Sequence, residues 1–394
     1  MNNLFRFIIV IYVLRMFMPI FMIIPSLLVI LMALFILFQI LSQDKANWVK
    51  STLPQLFAIY LILLLTDIFV RPLSEFWNSL YSHLILWVLP FIYMHILHNK
   101  DIKLAKTLLY AVLLSIAITA LTTYLGCLRF PGISRQMATG RLDIAISPLL
   151  NIGGFDTIYV FVLMLPILCF RLRFCKIALI EKMTIIATIT LVLVAIFQSE
   201  YTTALLFSIV SIVTLFIPPS LKWKKMIRLG ILTGIFAVVF LNLISVLLIY
   251  ISDNIESTSV SGRLTGLALM LQGQEGSSAD ETDAQGRLEL IMEALDAFAS
   301  SPIWGVQKMV GGHSYVAGVM SYYGSLGIIM LIVYFNKLRK LFTKYYEHSH
   351  CSTAIISTQI IYFCFLILNP RLYLIVPFLF LPLFAFCSNK TIKS

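Results

Sequence analysis

Long apolar runs separated by short polar segments occupy almost the whole chain, and this pattern is typical of membrane-spanning helices. A helix crosses the hydrocarbon core of a bilayer with about 20 apolar residues, whereas a transmembrane barrel would show short segments of alternating polarity. We predict about twelve spans, and Pro19 and Pro25 separate the first two. Their approximate bounds are 4–20, 24–42, 54–70, 80–97, 104–126, 157–171, 182–198, 201–218, 229–251, 314–335, 353–369 and 372–388.

One long polar segment, residues 252–313, interrupts this pattern between the ninth and tenth spans and contains 9 of the 18 acidic residues. Helical spacing of apolar residues in it predicts an amphipathic helix that Asp283 caps and Pro302 ends. We expect this helix to lie on the membrane surface, with Trp304 as an interfacial anchor. Its predicted apolar face consists of Leu288, Ile291, Met292, Leu295 and Phe298, and its acidic face of Glu289, Glu293 and Asp296.

Composition excludes a soluble globular protein. The chain is 60% hydrophobic and 12% charged, whereas a soluble domain has about 25% charged residues. The predicted fold class is an all-α integral membrane protein with about twelve transmembrane helices. It forms a single polytopic membrane domain over residues 1–394, and 252–313 is a large extramembrane loop with short amphipathic helices between transmembrane helices 9 and 10.

The distribution of positive charge predicts how the chain is oriented in the membrane. With the amino terminus inside, 20 of the 29 lysines and arginines fall in inner segments and 8 in outer ones. Cytoplasmic loops of membrane proteins carry such an excess. Both termini are therefore predicted to be cytoplasmic and loop 252–313 to be outside. The net charge of +11 is spread over many short inner loops, which argues against a nucleic-acid partner.

The inner and outer positive residues also differ in kind. Lysine accounts for 15 of the 20 inner ones, and arginine for 7 of the 8 outer ones. A planar guanidinium binds phosphate oxygens through two parallel hydrogen bonds. The bias favours a phosphate-containing substrate at the outer face, although sequence drift in loops that tolerate few positive charges would also produce it. The candidate phosphate ligands are Arg287, Arg141, Arg135 and Arg263.

Two residues of the polar segment carry the strongest candidate chemistry. Arg287 falls in the first turn of the predicted helix, where its guanidinium and free backbone N–H groups could meet a phosphate together. The alternative is an ion pair with a nearby carboxylate. His313 precedes the tenth span, with Ser314 as a plausible N-cap. A helix N-terminus disfavours a positive imidazole, so the ring could act as a general base; otherwise it is an interfacial histidine without a special role.

No cofactor is predicted. The acidic stretch at 279–283 could bind a divalent cation, but its Gly/Ser/Glu-rich surroundings indicate a solvated loop, so we predict no metal site. No Cys/His spacing suggests zinc, and no nucleotide-binding glycine motif is present. Cys127 is the one cysteine that could face outside, so no outer intramolecular disulfide is expected.

The order of motifs after residue 285 resembles the O-antigen polymerase and O-antigen ligase superfamily of bacterial inner membranes. The motif match is confined to this part of the chain, and the match in topology covers all of it. Each motif is short, so the signal lies in their order and spacing. The motifs are Gly286-Arg287-Leu288, Ser301-Pro302-Ile303-Trp304-Gly305, Gly312-His313-Ser314-Tyr315 and Tyr323-Gly324-Ser325-Leu326-Gly327.

This resemblance implies a metal-independent glycosyltransferase in the bacterial inner (cytoplasmic) membrane, for which loop 252–313 is periplasmic. Its donor would be an undecaprenyl-diphosphate-linked oligosaccharide, and membrane lipid, a chain-length regulator and a flippase are the other implied partners. Arg287 would bind the diphosphate and His313 would activate the acceptor hydroxyl. Arg141 or Arg135 would be the second phosphate contact. Many members have an arginine where this chain has Glu200, which leaves Glu200 and Tyr315 as further polar candidates.

Four functions stay open at this point. We favour a polymerase, which adds a growing lipid-linked chain to one further repeat unit. A ligase would instead transfer the finished chain to lipid A–core, and the motifs do not separate the two. A secondary transporter with twelve spans would have two similar halves and a long inner loop between spans six and seven, and that loop is short here. A non-catalytic partner of an export complex is the last alternative.

Overall fold

A computed structural model describes 2–42, 84, 88–134, 149–175, 177–199, 201–213, 241–254, 261–262, 264–265, 268, 282–308, 310, 314–346, 358–359 and 361–366. All regular secondary structure in these residues is helical. The helices are α1 (Asn2–Leu14), α2 (Ser26–Leu41), α3 (88–99), α4 (Ile102–Arg129), α5 (Phe155–Phe174), α6 (Leu179–Gln198), α7 (Thr202–Val213), α8 (Leu241–Asp253), α9 (Thr282–Ser300) and α10 (Tyr315–Tyr346).

Three of these helices are long and apolar enough to cross a membrane: Ile102–Arg129, Phe155–Arg173 within α5, and Leu179–Gln198. They confirm the helices predicted at 104–126, 157–171 and 182–198. α1, α2, α7 and the first part of α10 are apolar but shorter. The described chain is that of a helical membrane protein. The predicted spans at 54–70 and 372–388 lie outside the described residues, and those at 80–97, 201–218, 229–251 and 353–369 are described only in part.

The first apolar run breaks where prolines were expected to break it, but earlier than predicted. α1 ends at Leu14, whereas the sequence predicted a span to residue 20. A 3₁₀ turn at Pro19–Ile23 follows, and Pro25 stands at the N-cap position of α2. Proline has no N–H to continue the helix, and its ring clashes with the carbonyl four residues earlier. For Pro19 that carbonyl belongs to Arg15, so α1 ends just before it.

The core of the bundle is centred on α5, which packs against α6 and α7. α4 packs against α1 and α6, and α1 also packs against α2. Most of α5 is buried inside the protein, whereas α6 also presents an exposed apolar surface at Leu179, Ile180 and Met183. Such a surface suits contact with lipid, because hydrocarbon solvates apolar side chains as well as a protein core does.

A proline inside α5 is accommodated by a neighbouring helix. Pro166 cannot donate the backbone hydrogen bond that the carbonyl of Val162 would receive in a regular helix. The hydroxyl of Ser211, on α7, donates to that carbonyl across 3.4 Å. In hydrocarbon an unmatched carbonyl is costly, and serine hydroxyls of adjacent helices commonly replace the missing donor. This bond adds a polar contact to the packing of α5 on α7.

Charged residues predicted to be cytoplasmic gather at one end of this bundle. Arg6 pairs with Asp101 at 2.9 Å, and the Asp101 side chain also caps α4 by accepting from the Leu104 N–H at 3.1 Å. Arg171, at the end of α5, pairs with Glu181 at the start of α6. α4 has 28 residues and is thus about 42 Å long. Its other end lies among the segments that were predicted to be outside.

Candidate functional site

α10 is broken at Gly324, within the motif Tyr323-Gly324-Ser325-Leu326-Gly327. Gly324 has φ 62° and ψ −154°, a conformation that is essentially restricted to glycine. The sequence predicted an unbroken span over 314–335, and the break corrects it. At the break, the Ser325 N–H donates to the carbonyl of Pro302 at 2.8 Å. A loop from the Ser301–Gly305 motif therefore supplies an acceptor that the helix itself does not.

The same loop approaches the break so closely that only glycine fits on either side. A Cβ on Gly305, which has φ 72°, would lie 2.4 Å from the carbonyl oxygen of Tyr322. A Cβ on Gly324 would lie 2.5 Å from the carbonyl oxygen of Ile303. The Val306 N–H completes this backbone contact by donating to the Ser321 carbonyl at 2.8 Å. Two motifs that are separate in sequence thus form one rigid unit, which we name the 301–325 interlock.

The interlock continues towards His313 through one serine hydroxyl. Ser321 is fully buried, and its hydroxyl accepts from the Val310 N–H at 3.2 Å and contacts the Val310 carbonyl at 2.9 Å. Val310 is the last described residue before 311–313. On the other side, the hydroxyl of Ser314 accepts from the Ala317 N–H at 3.2 Å, which confirms Ser314 as the N-cap of α10. Both flanks of 311–313 are therefore held by the first two turns of α10.

Tyr315, a polar candidate from the sequence, is the first residue of α10. It is half-buried and packs, together with Val316, against the main core of the bundle. This contact joins the interlock to the helices around α5. His313 itself lies outside the described residues, but its Cα must lie about 3.8 Å from that of Ser314. The capped end of α10, seated on the core, therefore fixes where His313 can be.

Arg287 lies in α9, as predicted, although the helix begins at Thr282 and Asp283 is therefore not its cap. α9 ends at Ser300, two residues before Pro302, and it packs against α10. Ala294 is 1% exposed and marks the packed face. Position 287 precedes Ala294 by seven residues, or about two turns, and so shares its face by helical register.

The single apolar face predicted for α9 divides into two. Ala294 is buried and Leu290, Ile291, Ala297 and Phe298 are half-buried around it, so this face meets the protein. Met292 and Leu295 are exposed on a second face, and the nearby Trp304 is 69% exposed. The acidic residues Glu289, Glu293 and Asp296 are exposed on a third face. The exposed apolar face has the character expected of a helix at a membrane surface.

A buried hydrogen-bond network holds the two ends of 135–148, the segment that contains Arg135 and Arg141. Asn151, at φ 54°, donates from its amide to the hydroxyls of Thr119 and Thr122. The Ser134 hydroxyl donates to the carbonyl of Gly153 at 2.9 Å. Since Ser134 and Leu149 border that segment, its two ends meet on α4. Both arginines themselves lie outside the described residues.

The same network reaches the neighbourhood of Glu200. Tyr201 is 7% exposed, and its hydroxyl donates to the carbonyl of Ser134 at 2.8 Å. Ser134 directly precedes Arg135, and Tyr201 directly follows Glu200. Glu200 also lies outside the described residues. Because consecutive Cα atoms are about 3.8 Å apart, this one bond draws the backbone positions of Arg135 and Glu200 into the same region.

The flanks of Arg263 are held by a different helix. The Ser252 hydroxyl, on α8, lies 2.7 Å from the Ser261 carbonyl and 2.7 Å from the Thr265 hydroxyl. Leu264 is buried beside them. Arg263 itself is outside the described residues. The structure thus places the surroundings of Arg263 at the end of α8 and gives no contact between them and the interlock.

A metal site is not evident in the described residues, where no group of three His, Cys, Asp or Glu side chains is close enough to hold an ion. Residues 279–281 of the acidic stretch lie outside them. Sequence reasoning missed Ser321, Tyr201 and Asn151 as anchors. Asn151 had a signal, because asparagine followed closely by two glycines favours a left-handed turn; Ser321 and Tyr201 had none.

Comparison with known proteins does not assign this chain to a family. No family model matches it, and no curated protein matches it.

Proposed function

We propose that this chain is a polysaccharide polymerase of the bacterial inner membrane. It would transfer undecaprenyl-diphosphate-linked glycan onto a lipid-linked repeat unit at the periplasmic face. The observation that carries this proposal is the 301–325 interlock. The motifs that resemble the O-antigen polymerase and ligase superfamily are separate in the sequence, yet they dock on one another and hold both flanks of His313.

The proposed reaction is glycosyl transfer to a hydroxyl group. The acceptor oxygen attacks the anomeric carbon, the bond from that carbon to the diphosphate oxygen breaks, and its electron pair leaves with the lipid diphosphate. Neutral His313 takes the proton of the acceptor hydroxyl as general base. The capped end of α10 supports this role, because the positive end of a helix disfavours a protonated imidazole next to it.

Arg287 would stabilise the negative charge that grows on the departing diphosphate. It lies thirteen residues before the end of α9, or about 20 Å along the helix. His313 lies twelve residues before Ser325, or about 18 Å along α10. Since Ser301 and Pro302 dock at Ser325, we propose that α9 runs beside the first half of α10. Arg287 and His313 would then stand at one level.

Among the other arginines we propose Arg135 as the second phosphate contact. The bond between Tyr201 and Ser134 draws Arg135 towards Glu200, whose carboxylate would orient the guanidinium. Arg141 lies in the middle of 135–148, seven residues from Ser134, and Arg263 lies by α8. Both would contribute long-range positive potential rather than a direct contact.

This function carries a topology with it. We propose about twelve spans, cytoplasmic termini and a periplasmic loop at 252–313. The exposed apolar face of α9 and the exposed Trp304 support a position for that loop at the membrane surface. The reaction as proposed needs no cofactor, and its macromolecular partners would be a flippase and a chain-length regulator in the same membrane.

The glycan ladder of a deletion strain tests this function. We expect a single-repeat band in the deletion strain and in strains complemented with His313→Ala or Arg287→Ala. The wild-type gene and His348→Ala, at a predicted cytoplasmic histidine, should restore the full ladder. Loss of all surface glycan, with long chains on the lipid carrier, would identify a ligase instead. An unchanged ladder in the deletion strain would refute glycosyl transfer and favour transport.

A further inference from the structure

Ser321 is the one side chain among the described residues that joins α10 to Val310, and a hydroxyl is well suited to this contact. A hydroxyl has one proton to donate and lone pairs to accept. The Ser321 hydroxyl can therefore satisfy the carbonyl and the N–H of Val310 together, at 2.9 and 3.2 Å. It also lies 3.0 Å from the Gly318 carbonyl, which is the local contact that a helical serine makes in any case.

The segment that follows Val310 cannot hold its own shape. It begins with Gly311 and Gly312, which have wide conformational freedom and no side chain to pack. With the Ser321 contact, the untethered chain before Ser314 is three residues, 311–313. Without it, the next backbone contact is at Val306, and the untethered chain is seven residues, 307–313. The position of His313 therefore depends on one hydroxyl that lies eight residues further along the chain.

We propose that Ser321 is a positioning residue for His313. It holds the backbone ahead of the histidine so that the imidazole meets the acceptor hydroxyl. This proposal rests on the proposed function, because the positioning matters only if His313 acts as a base. A general base must come within about 3 Å of the proton that it removes, and a misplacement of about 1 Å can cost 100-fold in rate. Substrate binding through arginines elsewhere is unaffected.

Loss of the hydroxyl leaves the rest of the interlock in place. The bond from Ser325 to Pro302 and the close contact of Gly305 with Gly324 involve backbone alone. Ser321→Ala is therefore expected to keep the break in α10 and the fold. Ser115→Ala is a matched control, because Ser115 is an equally buried helical serine whose printed hydrogen bond is the local one, to Val112 at 2.8 Å.

The test has an enzymatic part, performed on the full chain in lipid nanodiscs with lipid-linked repeat units extracted from the deletion strain. We expect Ser321→Ala to lower kcat between 10- and 100-fold and to leave KM within about twofold, since uniform binding is retained. Ser321→Thr, which keeps the hydroxyl, should recover most of the rate. Ser115→Ala should match wild type. A rise in KM with unchanged kcat, or an effect equal to that of Ser115→Ala, would overturn the proposal.

A second part reads the position of residue 313 without any reaction. A nitroxide is attached at His313→Cys in a chain whose six native cysteines are replaced by alanine. We expect Ser321→Ala to increase the mobility of the label and Ser115→Ala to leave it unchanged. Unchanged mobility in both would refute the anchor even if polymerase activity is demonstrated. Increased mobility in a protein that transfers no glycan would refute the catalytic role while the anchor stands.

Discussion

The two ends of the described bundle hold their polar residues in different ways. At the predicted cytoplasmic end, Arg6 and Arg171 are neutralised by carboxylates, those of Asp101 and Glu181. At the opposite end, the anchors are uncharged. Hydroxyls, one amide and backbone groups hold the flanks of 135–148 and 311–313.

The difference separates structural charge from charge that is open to a substrate. An arginine paired with a carboxylate tightens the structure but offers little attraction to an anion. Anchors without charge can fix the backbone of a loop and leave its arginines their full positive potential. In the described part of the predicted periplasmic end, the anchors that hold the loop flanks include no carboxylate. A lipid diphosphate is a ligand that this arrangement suits.

The largest effect is expected from Arg287. Loss of one preorganised group that stabilises developing charge costs about 100- to 1,000-fold in rate. Lysine cannot replace it, because an ammonium does not bind two phosphate oxygens in a planar fork. Arg287→Lys should therefore fall in kcat nearly as far as Arg287→Ala in the nanodisc assay. Arg173→Lys, an exposed arginine at the cytoplasmic end, is the control. Equal rates for Arg287→Lys and wild type would show that point charge suffices.

A smaller effect on stability is expected at the break of α10. Gly324→Ala would force alanine into a glycine-only backbone conformation and set its Cβ 2.5 Å from the Ile303 carbonyl oxygen. The strain alone is about 1–3 kcal/mol, so the thermal midpoint in detergent should fall by several degrees and activity should be lost. Gly262→Ala is the matched control, since no atom lies within 4 Å of its added Cβ. A Gly324→Ala protein as stable as this control would contradict the interlock.

The smallest of these effects is expected at the cytoplasmic end. Asp101→Ala removes both the cap of α4 and the partner of Arg6, and loss of a cap typically costs about 1 kcal/mol. Asp101→Asn keeps an oxygen for the cap and should recover most of the stability. Both variants should retain the kcat of wild type. A kcat that falls in proportion to stability would mean that the two ends are not as independent as the comparison holds.

The helices of the bundle were accessible to sequence reasoning, whereas the interlock was not. Apolar runs of sufficient length predicted α4, α5 and α6, because the thickness of the hydrocarbon core sets their length. Ser314 was also identified as an N-cap from its position before an apolar run. The break at Gly324 could not be predicted, since glycine is common in transmembrane helices. It depends on the loop at Pro302, twenty-two residues earlier, whose docking no local pattern indicates.

The faces of α9 show the same limit within a single helix. Its apolar residues cover more than half of its circumference, so the sequence could not determine which part meets protein. The structure buries Ala294, the smallest residue of that set, because a small side chain lets two helices approach closely. Met292 and Leu295 were the larger residues and gave the stronger pattern, yet they are exposed. Size matters here through fit rather than through hydrophobicity.

The most direct test of the central claim is glycan transfer by the purified protein. Full-length chain in nanodiscs is supplied with lipid-linked repeat units from the deletion strain, and the products are resolved by length. We predict that wild type forms lipid-linked chains of two or more repeats and releases undecaprenyl diphosphate, and that His313→Ala is slower by about 100- to 10,000-fold. Elongation by His313→Ala at the wild-type rate would contradict the account.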